Sequence, residues 1–455
     1  MPLQSINPHN NKPIKSYKED SPNQIEKKLT AAHTGFAQWR HTTFAQRGAL
    51  LKAVGKELLK DKAELAKLMA LEMGKPLSKG TVEIEKCAWA CNYYAGNGKQ
   101  LLEDEIVQTS YSKSFVTHNP LGTVLAIMPW NYPFWQAFRG LAPALMAGNN
   151  MLLKHASNVT GCALAIKKVF EAVGAPAGVF DVLLIDNDTV SKVIEHKAIA
   201  AVTLTGSNKA GKAVAGKAGS VLKKTVMELG GSDAYVVLKD ADVELAAKEC
   251  ASSRLKNGGQ SCISAKRFII DKKIIEPFTE AFIANMEKVT IGNPLKPEFD
   301  LGPLARVDLR DGLHEQVLRS VMKGARIAWG GSVSEVNGAY YPCTVLTDVT
   351  PGMPAFDEEL FGPVAAIIEA NDENHAIQLA NNSVFGLGGA VFTKNVKKGE
   401  KIAASLIEAG SVFVNIQVNS DPRLPFGGIK ESGYGRELGN LGIKEFVNIK
   451  SVAIR

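Results

Sequence analysis

A cysteine lies in a glycine-rich bend, residues 257–262 (NGGQSC), directly before an apolar run that reads as a strand. Adjacent glycines let the backbone approach a ligand closely, and a bend keeps a side chain out of the packed interior. A free cysteine is otherwise most often a small buried residue. The setting favours Cys262 as a nucleophile.

A carboxylate stands at a second glycine cluster. Glu228 precedes Leu229, Gly230 and Gly231 at a predicted strand-to-loop junction, 34 positions before the cysteine (262 − 228 = 34). A thiol becomes an effective nucleophile when an adjacent base or a lowered pKa activates it. The two clusters together indicate thiol chemistry assisted by a base.

A third turn, Thr205-Gly206-Ser207, follows an apolar strand and precedes a helix of small residues. Free backbone N–H groups at a helix start bind phosphate oxygens well. The turn is not the G-x-G-x-x-G fingerprint, and a plain helix cap explains such turns about as often. Its position after a predicted parallel strand favours a phosphate site.

The loop 129–133 (PWNYP) follows another predicted strand. Its two prolines make it rigid, and the side chain of Asn131 offers an amide donor. Such a donor is suited to stabilising an oxyanion. The alternative is a proline-braced turn in which Trp130 serves only for packing.

Elements of alternating type must position these residues. Residues 23–102 repeat apolar positions at helical spacing, and short apolar runs then alternate with amphipathic segments. We predict strands at 123–128, 150–153, 180–184, 200–205, 225–227, 234–238, 267–270, 325–329, 364–369 and 412–415. We predict helices at 159–173, 190–196, 243–254, 276–286 and 313–323. Repeated strand-helix-strand units imply mostly parallel sheets, so the predicted fold class is α/β with two doubly wound domains.

Two segments, 112–119 and 445–454, alternate like exposed strands. A strand edge of this kind is usually paired or covered. We interpret the segments as an arm whose edge is covered by another chain, which predicts an oligomer.

Composition argues against several kinds of partner. The 455 residues are 45% hydrophobic and carry a thinly spread net charge of +7, so we expect a globular chain and no nucleic acid partner. No apolar run approaches membrane-spanning length, so we expect no membrane partner. The six cysteines are scattered and form no cluster with histidines, which predicts a cytoplasmic protein without a metal site.

The chain resembles the aldehyde dehydrogenase superfamily along nearly its whole length. Besides the four segments above, 359–363 (ELFGP) and 425–428 (PFGG) occur in the family's order and approximate spacing. The sequence GGSDA after Glu228 looks like that of short bacterial succinate-semialdehyde dehydrogenases. The resemblance implies a Rossmann-like cofactor domain at 1–110 and 122–229 and a catalytic domain at 230–430. It also implies an oligomerisation arm at 111–121 and 431–455, in a homodimer or homotetramer.

By the same resemblance, Cys262 is the nucleophile, Glu228 the general base and Asn131 the oxyanion donor. The residues implied to hold NAD or NADP are Trp130, Lys154, Ser157, Gly206, Ser207, Glu359 and Phe361. The thiolate attacks an aldehyde, the thiohemiacetal passes a hydride to the nicotinamide, and Glu228 activates the water that hydrolyses the thioester. A base at this position favours hydrolysis over transfer of the acyl group to coenzyme A.

One departure from the family concerns the cofactor. Many NAD-preferring members carry a glutamate that binds the adenosine ribose hydroxyls where this chain has Ser157. A serine does not repel a 2′-phosphate, and Lys154 with His155 is expected to attract it. We therefore expect the chain to accept NADP as well as NAD.

The predicted substrate is a semialdehyde with a distal carboxylate. Arg139 lies eight residues past Asn131 on a helix expected to line the substrate tunnel, and Ser420 lies six residues before Phe426. The resemblance implies that both residues hold the carboxylate of succinic semialdehyde, and a guanidinium suits that group. The alternative for Arg139 is a partly exposed helix residue. Lys256, at a second arginine position of some relatives, has no assigned role.

Three other functions remain open on the sequence. The first is a dehydrogenase for neutral or aromatic aldehydes, in which Arg139 does not touch the substrate. The second is a binding or structural protein, since a fold does not guarantee activity. The third is a cysteine hydrolase, which requires a histidine beside Cys262 in space.

Overall fold

The computed structural model describes residues 3–333 and 337–455 of the chain. Two large sheets, of six and seven strands, form its body, and helices pack against both. The predicted α/β fold class with parallel sheets is confirmed. The strands are β1 (Leu3–Asn7), β2 (Lys12–Tyr17), β3 (Glu105–Ile106), β4 (Lys113–Pro120), β5 (Thr123–Met128), β6 (Asn150–His155), β7 (Phe180–Val182), β8 (Ile199–Thr205), β9 (Lys224–Glu228), β10 (Ala234–Val237), β11 (Arg267–Asp271), β12 (Arg326–Trp329), β13 (Thr344–Thr347), β14 (Val364–Ala370), β15 (Phe385–Gly386), β16 (Gly388–Phe392), β17 (Ser411–Val414), β18 (Ile429–Lys430), β19 (Gly433–Tyr434) and β20 (Val447–Ile454).

Helices connect most of these strands. They are α1 (Pro22–Trp39), α2 (Phe44–Lys60), α3 (Lys62–Met73), α4 (Leu77–Leu101), α5 (Trp135–Ala147), α6 (Thr160–Ala172), α7 (Asn187–Glu195), α8 (Asn208–Ser220), α9 (Val243–Leu255), α10 (Ile275–Glu287), α11 (Val307–Met322), α12 (Pro354–Asp357), α13 (Glu373–Asn381), α14 (Val396–Ser405) and α15 (Gly439–Gly442). Short 3-10 helices lie at Ser157–Val159 and Lys256–Gly259. The helical N-terminal region is confirmed by α1 to α4, and α11 begins six residues before its predicted start (313 − 307 = 6).

The six-stranded sheet has the order β19-β9-β8-β5-β6-β7 and is parallel except for its edge strand β19. Its inner strands are buried on both faces, which explains their continuous apolar sequences. The chain runs outward from β5 to β7 and then returns to the other side of β5 as β8 and β9. The carboxyl ends of β5 and β8 therefore flank a topological switch point, where ligands bind in open α/β sheets.

The seven-stranded sheet has the order β12-β13-β14-β11-β10-β16-β17 and is parallel except where β12 meets β13. Its strand β10 begins just after the Glu228 turn, and the central strand β11 begins just after the Cys262 bend. The backbone N–H groups of Lys266 and Arg267 both donate to the carbonyl oxygen of Asp233. This contact holds the start of β11, and with it the bend, beside the loop that leaves Glu228.

The N-terminal hairpin is not predicted from the sequence, because the first twenty residues are mostly polar. Its strands β1 and β2 pair antiparallel, and the Ser5 and Tyr17 hydroxyls donate to the buried carboxylate of Glu72. The same carboxylate accepts the backbone N–H groups of Gly161 and Cys162 at the start of α6. Glu72 therefore fixes the hairpin to the helices.

Strands β3, β4 and β20 form a separate antiparallel sheet. The predicted strands at 112–119 and 445–454 are confirmed within two residues at each end. Apolar side chains on this sheet are exposed, including Ile106 at 63% and Ile449 at 61%. Coverage of this surface by another chain stays a prediction.

Candidate active site

The bend that carries Cys262 depends on its glycines. Asn257, Gly258 and Gly259 have φ angles of 55°, 64° and 76°, which glycine adopts most readily. A Cβ added to Gly259 would lie 2.1 Å from the carbonyl oxygen of Gly362. The bend therefore packs directly against the loop 359–363.

Cys262 is half-buried, whereas the other five cysteines are buried. It lines a cavity of about 670 Å³. Burial raises the pKa of the Cys262 thiol to about 12, and the charges of Arg139 and Lys266 oppose this shift. The resting side chain is therefore a thiol, and the nearby cations favour its conversion to the thiolate nucleophile.

Lys266, a residue that sequence reasoning missed, lies fully buried behind the bend. Its ammonium donates to the carbonyl oxygens of Ser261 at 2.8 Å and Cys262 at 2.7 Å, and lies 3.4 Å from a carboxylate oxygen of Glu359. Three N–H donors thus face three acceptors. Burial lowers the pKa of Lys266, and the Glu359 and Asp233 carboxylates oppose the change. The lysine fixes the backbone of the nucleophile.

The loop that carries Asn131 is tied to the same bend. The Asn131 amide nitrogen donates to the carbonyl oxygen of Gln260 at 3.1 Å, and the Asn257 amide donates to the carbonyl oxygen of Asn131 at 2.8 Å. The buried ammonium of Lys75 donates to that Asn131 carbonyl at 3.0 Å. The structure therefore brings Asn131 and Cys262 together, and one amide hydrogen of Asn131 is not used by the bond to Gln260.

Glu228 ends β9 as predicted, but it is not among the residues that line the cavity. Its side chain is buried, and neither carboxyl oxygen has a hydrogen-bond partner among the described residues. One oxygen faces Gly427, where an added Cβ would lie 2.6 Å away. Burial raises the pKa of Glu228 well above its usual range, although Arg139 opposes the shift. The protonated acid is therefore favoured here, and in this position the group does not line the cavity that holds Cys262.

Four of the predicted cofactor residues lie at the carboxyl edge of the six-stranded sheet. Trp130 follows β5, Lys154 lies near the end of β6, and Gly206 and Ser207 follow β8. The Ser207 hydroxyl caps α8 by accepting the backbone N–H of Ala210 at 3.3 Å. A helix start thus coincides with the switch point of the sheet, and this arrangement suits the phosphates of a dinucleotide.

The expectation that His155 attracts a cofactor phosphate is wrong. The imidazole is buried, donates to the carbonyl oxygen of Pro133 at 2.8 Å and accepts the backbone N–H of Ala156 at 3.0 Å. Burial lowers the pKa of His155 to about 4, so the ring is neutral at pH 7. Lys154 and the exposed hydroxyl of Ser157 remain on the surface of this edge. His155 instead braces the loop that carries Asn131.

Glu359 and Phe361 belong to the loop 359–363 and contact the loops that follow β9 and β5. A Glu359 oxygen accepts the backbone N–H of Gly231 at 3.1 Å, and a Cβ on Gly230 would lie 2.6 Å from the other oxygen. The Phe361 ring meets the Trp130 ring edge to face, with 5.7 Å between centroids. The predicted cofactor residues thus offer a helix start, an ammonium, hydroxyls and a carboxylate, a set that fits phosphate and ribose groups.

Arg139 lines the cavity from α5, but its charge is compensated. The residue is 2% exposed, so the alternative of a partly exposed helix residue is wrong. Its guanidinium pairs with the buried carboxylate of Glu437 and donates to the Thr205 hydroxyl at 3.2 Å. Its central carbon lies 4.4 Å from the ring centroid of Phe426. These contacts use two of the five N–H donors, and the charge of the guanidinium is neutralised by Glu437.

Ser420 lines the same cavity beside two lysines. Its hydroxyl accepts a hydrogen bond of 2.7 Å from Lys86 of α4, a residue that sequence reasoning missed. Lys256 donates to the carbonyl oxygen of Val418 at 3.0 Å and to the Asn419 side chain. Burial is the main cause that lowers the pKa of both lysines to about 8.

A cysteine hydrolase gains no support from the described part of the chain. No histidine is among the residues that line the cavity there, whereas a cysteine hydrolase needs one beside its thiol. Every helix of residues 3–333 and 337–455 is too short or too polar to cross a bilayer.

Comparison with known proteins assigns the family. The sequence profile of the aldehyde dehydrogenase family matches residues 1–452. The succinate semialdehyde dehydrogenase Sad of Escherichia coli, named for NAD(P)+, is 47% identical over 448 residues, which cover 98% of this chain and 97% of that protein. A succinate-semialdehyde dehydrogenase of Mycobacterium avium, named for NADP+, is 43% identical over 458 residues, covering 100% and 97%.

A solved structure agrees with this assignment. The crystal structure of succinic semialdehyde dehydrogenase from Streptococcus pyogenes with NADP+ superposes with a TM-score of 0.97 at 36% identity, covering 99% of each chain. The chain therefore belongs to the aldehyde dehydrogenase family, and the resemblance noted in the sequence is confirmed.

Proposed function

We propose that the protein oxidises succinic semialdehyde to succinate with NAD or NADP as cofactor. The charge of the cavity that holds Cys262 carries this proposal. Its basic lining residues are Lys75, Lys79, Lys86, Arg139, Lys248, Lys256 and Lys288, and its acidic ones are Glu83 and Asp300. Lys75 pairs with Glu83, and Arg139 pairs with Glu437, so positive charge predominates. Such a cavity attracts an anionic aldehyde, and the similar proteins named above are named for this substrate.

The first half-reaction is an oxidation on Cys262. The thiol releases its proton to water, and the sulfur attacks the aldehyde carbon to give a thiohemiacetal whose oxygen carries the negative charge. The Asn131 amide and the Cys262 backbone N–H donate to that oxygen. A bound nicotinamide dinucleotide supplies the hydride acceptor. Loss of the hydride leaves a thioester on Cys262.

The second half-reaction is hydrolysis. Glu228, once deprotonated, turns toward the thioester and takes a proton from water, and the hydroxide oxygen adds to the thioester carbon. The carbon–sulfur bond then breaks and releases succinate, and the sulfur takes the proton held by Glu228, which restores the thiol. A raised pKa means that the deprotonated carboxylate of Glu228 is a stronger base than an ordinary one.

The cofactor-binding residues remain those inferred from the sequence: Trp130, Lys154, Ser157, Gly206, Ser207, Glu359 and Phe361. Their position around the switch point supports this assignment. Ser157 places no carboxylate beside the adenosine ribose, so we propose that NADP is accepted as well as NAD.

Three broader features also belong to the proposal. We propose the cofactor domain, catalytic domain and arm with the limits given above, and a homodimer or homotetramer in which the arm sheet is covered. The exposed Ile106 and Ile449 of that sheet support an oligomer. Six free cysteines support a cytoplasmic location.

Initial rates with linear aldehydes, with and without a terminal carboxylate and under each cofactor, test the proposal. We expect kcat/KM for succinic semialdehyde to exceed that for butanal by roughly 100-fold, the value of a charged hydrogen-bonded contact. Equal values for both aldehydes would contradict the substrate and favour a dehydrogenase for neutral aldehydes. Absence of reduced-cofactor absorbance with every aldehyde would contradict the enzymatic function.

A further inference from the structure

Lys86 is a cation in the cavity whose hydrogen-bond donors are mostly unused. Its ammonium donates to the Ser420 hydroxyl at 2.7 Å and lies 4.4 Å from the ring centroid of Trp135. It forms no ion pair with a carboxylate of the described residues. An ammonium has three donors, so two remain for a ligand.

Arg139 differs from Lys86 because a carboxylate of the protein already holds it. Glu437 pairs with its guanidinium, Thr205 accepts another N–H, and the Phe426 ring covers one face. A substrate carboxylate at this guanidinium would meet a positive charge that Glu437 already neutralises, and a bidentate contact through Nε would require the release of Glu437 inside the protein. Leaving a buried carboxylate unpaired is strongly unfavourable.

We propose that Lys86 and Ser420 bind the carboxylate of the substrate, and that Arg139 is a positioning residue paired with Glu437. The inference rests on the function proposed above and names a specificity-determining residue for it. Because the Ser420 oxygen accepts from Lys86, the Ser420 hydroxyl hydrogen points elsewhere and is available to the ligand. An ammonium N–H and an O–H side by side match the two oxygens of a carboxylate.

Lys256 completes the positive end of this site. Its ammonium is held by Val418 and Asn419, so one loop segment, 418–420, carries contacts of both lysines. Two ammonium groups and the nearby Arg139 repel one another in a partly buried cavity. An anionic ligand removes that repulsion, whereas a neutral aldehyde does not.

The test compares Lys86→Met with Lys99→Met, which makes the same change at an exposed position of the same helix, outside the cavity. We expect Lys86→Met to lower kcat/KM for succinic semialdehyde by roughly 10- to 100-fold, mainly through KM, because a charged hydrogen bond is lost. Rates with butanal should change by less than about threefold. Lys86→Arg should restore most of the loss, since a guanidinium also binds carboxylates.

A second measurement separates specificity from folding. Lys86→Met should melt no lower than the wild type, because removing a half-buried cation without a carboxylate partner removes a desolvation cost. Equal losses with both aldehydes, or a preference for succinic semialdehyde that survives in Lys86→Met, would overturn the role of Lys86. A wild-type protein without that preference would instead overturn the proposed function.

Discussion

Two lysines near Cys262 differ in what holds them. Lys266, fully buried behind the bend, directs its ammonium to three oxygens, from Ser261, Cys262 and Glu359. Lys86, which is half-buried and lines the cavity, contacts one hydroxyl and the face of Trp135. A buried cation whose donors are all satisfied organises the protein itself, whereas one with spare donors is suited to an external anion. We therefore infer that Lys266 supports the reaction itself, whereas Lys86 selects the substrate.

Replacing Lys266 should produce the largest effect. Lys266→Met removes the ammonium that contacts the Ser261 and Cys262 carbonyl groups and Glu359, and it removes a cation that lowers the pKa of Cys262. We expect kcat/KM to fall by about 100-fold or more for succinic semialdehyde and butanal alike. Steady-state rates with both aldehydes check this expectation.

Alkylation of Cys262 by iodoacetamide gives an independent check on the same variant. The thiol pKa is already raised to about 12, and loss of the cation raises it further, so alkylation near pH 8 should slow. Lys266→Arg should largely retain the wild-type rate, and Lys86→Met should leave it unchanged. Slower alkylation in Lys86→Met but not in Lys266→Met would reverse the assignment of the two lysines.

The pH dependence of substrate preference should distinguish Lys86 from Lys266 with a smaller effect. The pKa of Lys86 is lowered to about 8, so its positive charge is present below that pH and lost above it. The ratio of kcat/KM for succinic semialdehyde to that for butanal should therefore fall about tenfold from pH 7 to pH 9.5. Taking the ratio cancels the ionisation of Cys262 and Glu228.

Charged groups near Lys86 also affect the pH dependence of this ratio. The groups that face Lys86 are Glu83 and Cys87 on its own helix, Arg139 of α5, Lys256, and Asp421 beside Ser420. Lys256 also has a pKa of about 8, so it contributes to the fall. In Lys86→Arg, whose guanidinium stays charged, only the contribution of Lys256 should remain. A ratio that stays constant with pH in the wild type would contradict the role of both lysines.

Substitution of Ser157 should have the smallest effect on kcat/KM, because this residue is exposed, unlike the two lysines. Ser157→Glu places a carboxylate at the edge where the adenosine ribose is proposed to bind. We expect kcat/KM for NADP to fall about tenfold through KM, with little change for NAD, because water screens exposed charges. Equal effects on the two cofactors would show that Ser157 does not lie beside the 2′-phosphate.

The parallel sheets could be predicted because buried parallel strands read as continuous apolar runs. The predicted strands at 123–128 and 200–205 agree with β5 and β8 within one residue at each end. The hairpin β1–β2 was missed because its stability comes from Glu72, a distant side chain that no local pattern reveals. Local periodicity thus predicted the elements that bury their own residues.

The candidate site shows the same limit. Cys262 and Asn131 stand in glycine or proline turns, which mark them in the sequence, and the structure ties their loops together. Lys86 lies in a long helix, and its sequence context does not distinguish it from an ordinary surface lysine. Its contact with Ser420 spans 334 positions. The pairing of Arg139 with Glu437 spans 298 positions (437 − 139 = 298), so the sequence predicts the arginine but not its partner.

The most direct test of the central claim is the intact mass of Glu228→Gln after mixing with succinic semialdehyde and NADP. Without its base the variant should complete the oxidation and stall, so we predict about one equivalent of NADPH per active site and a succinyl group on Cys262. The double variant with Cys262→Ser should show neither. Continued turnover without an adduct, or a succinyl group on another residue, would contradict catalysis by Cys262 and Glu228.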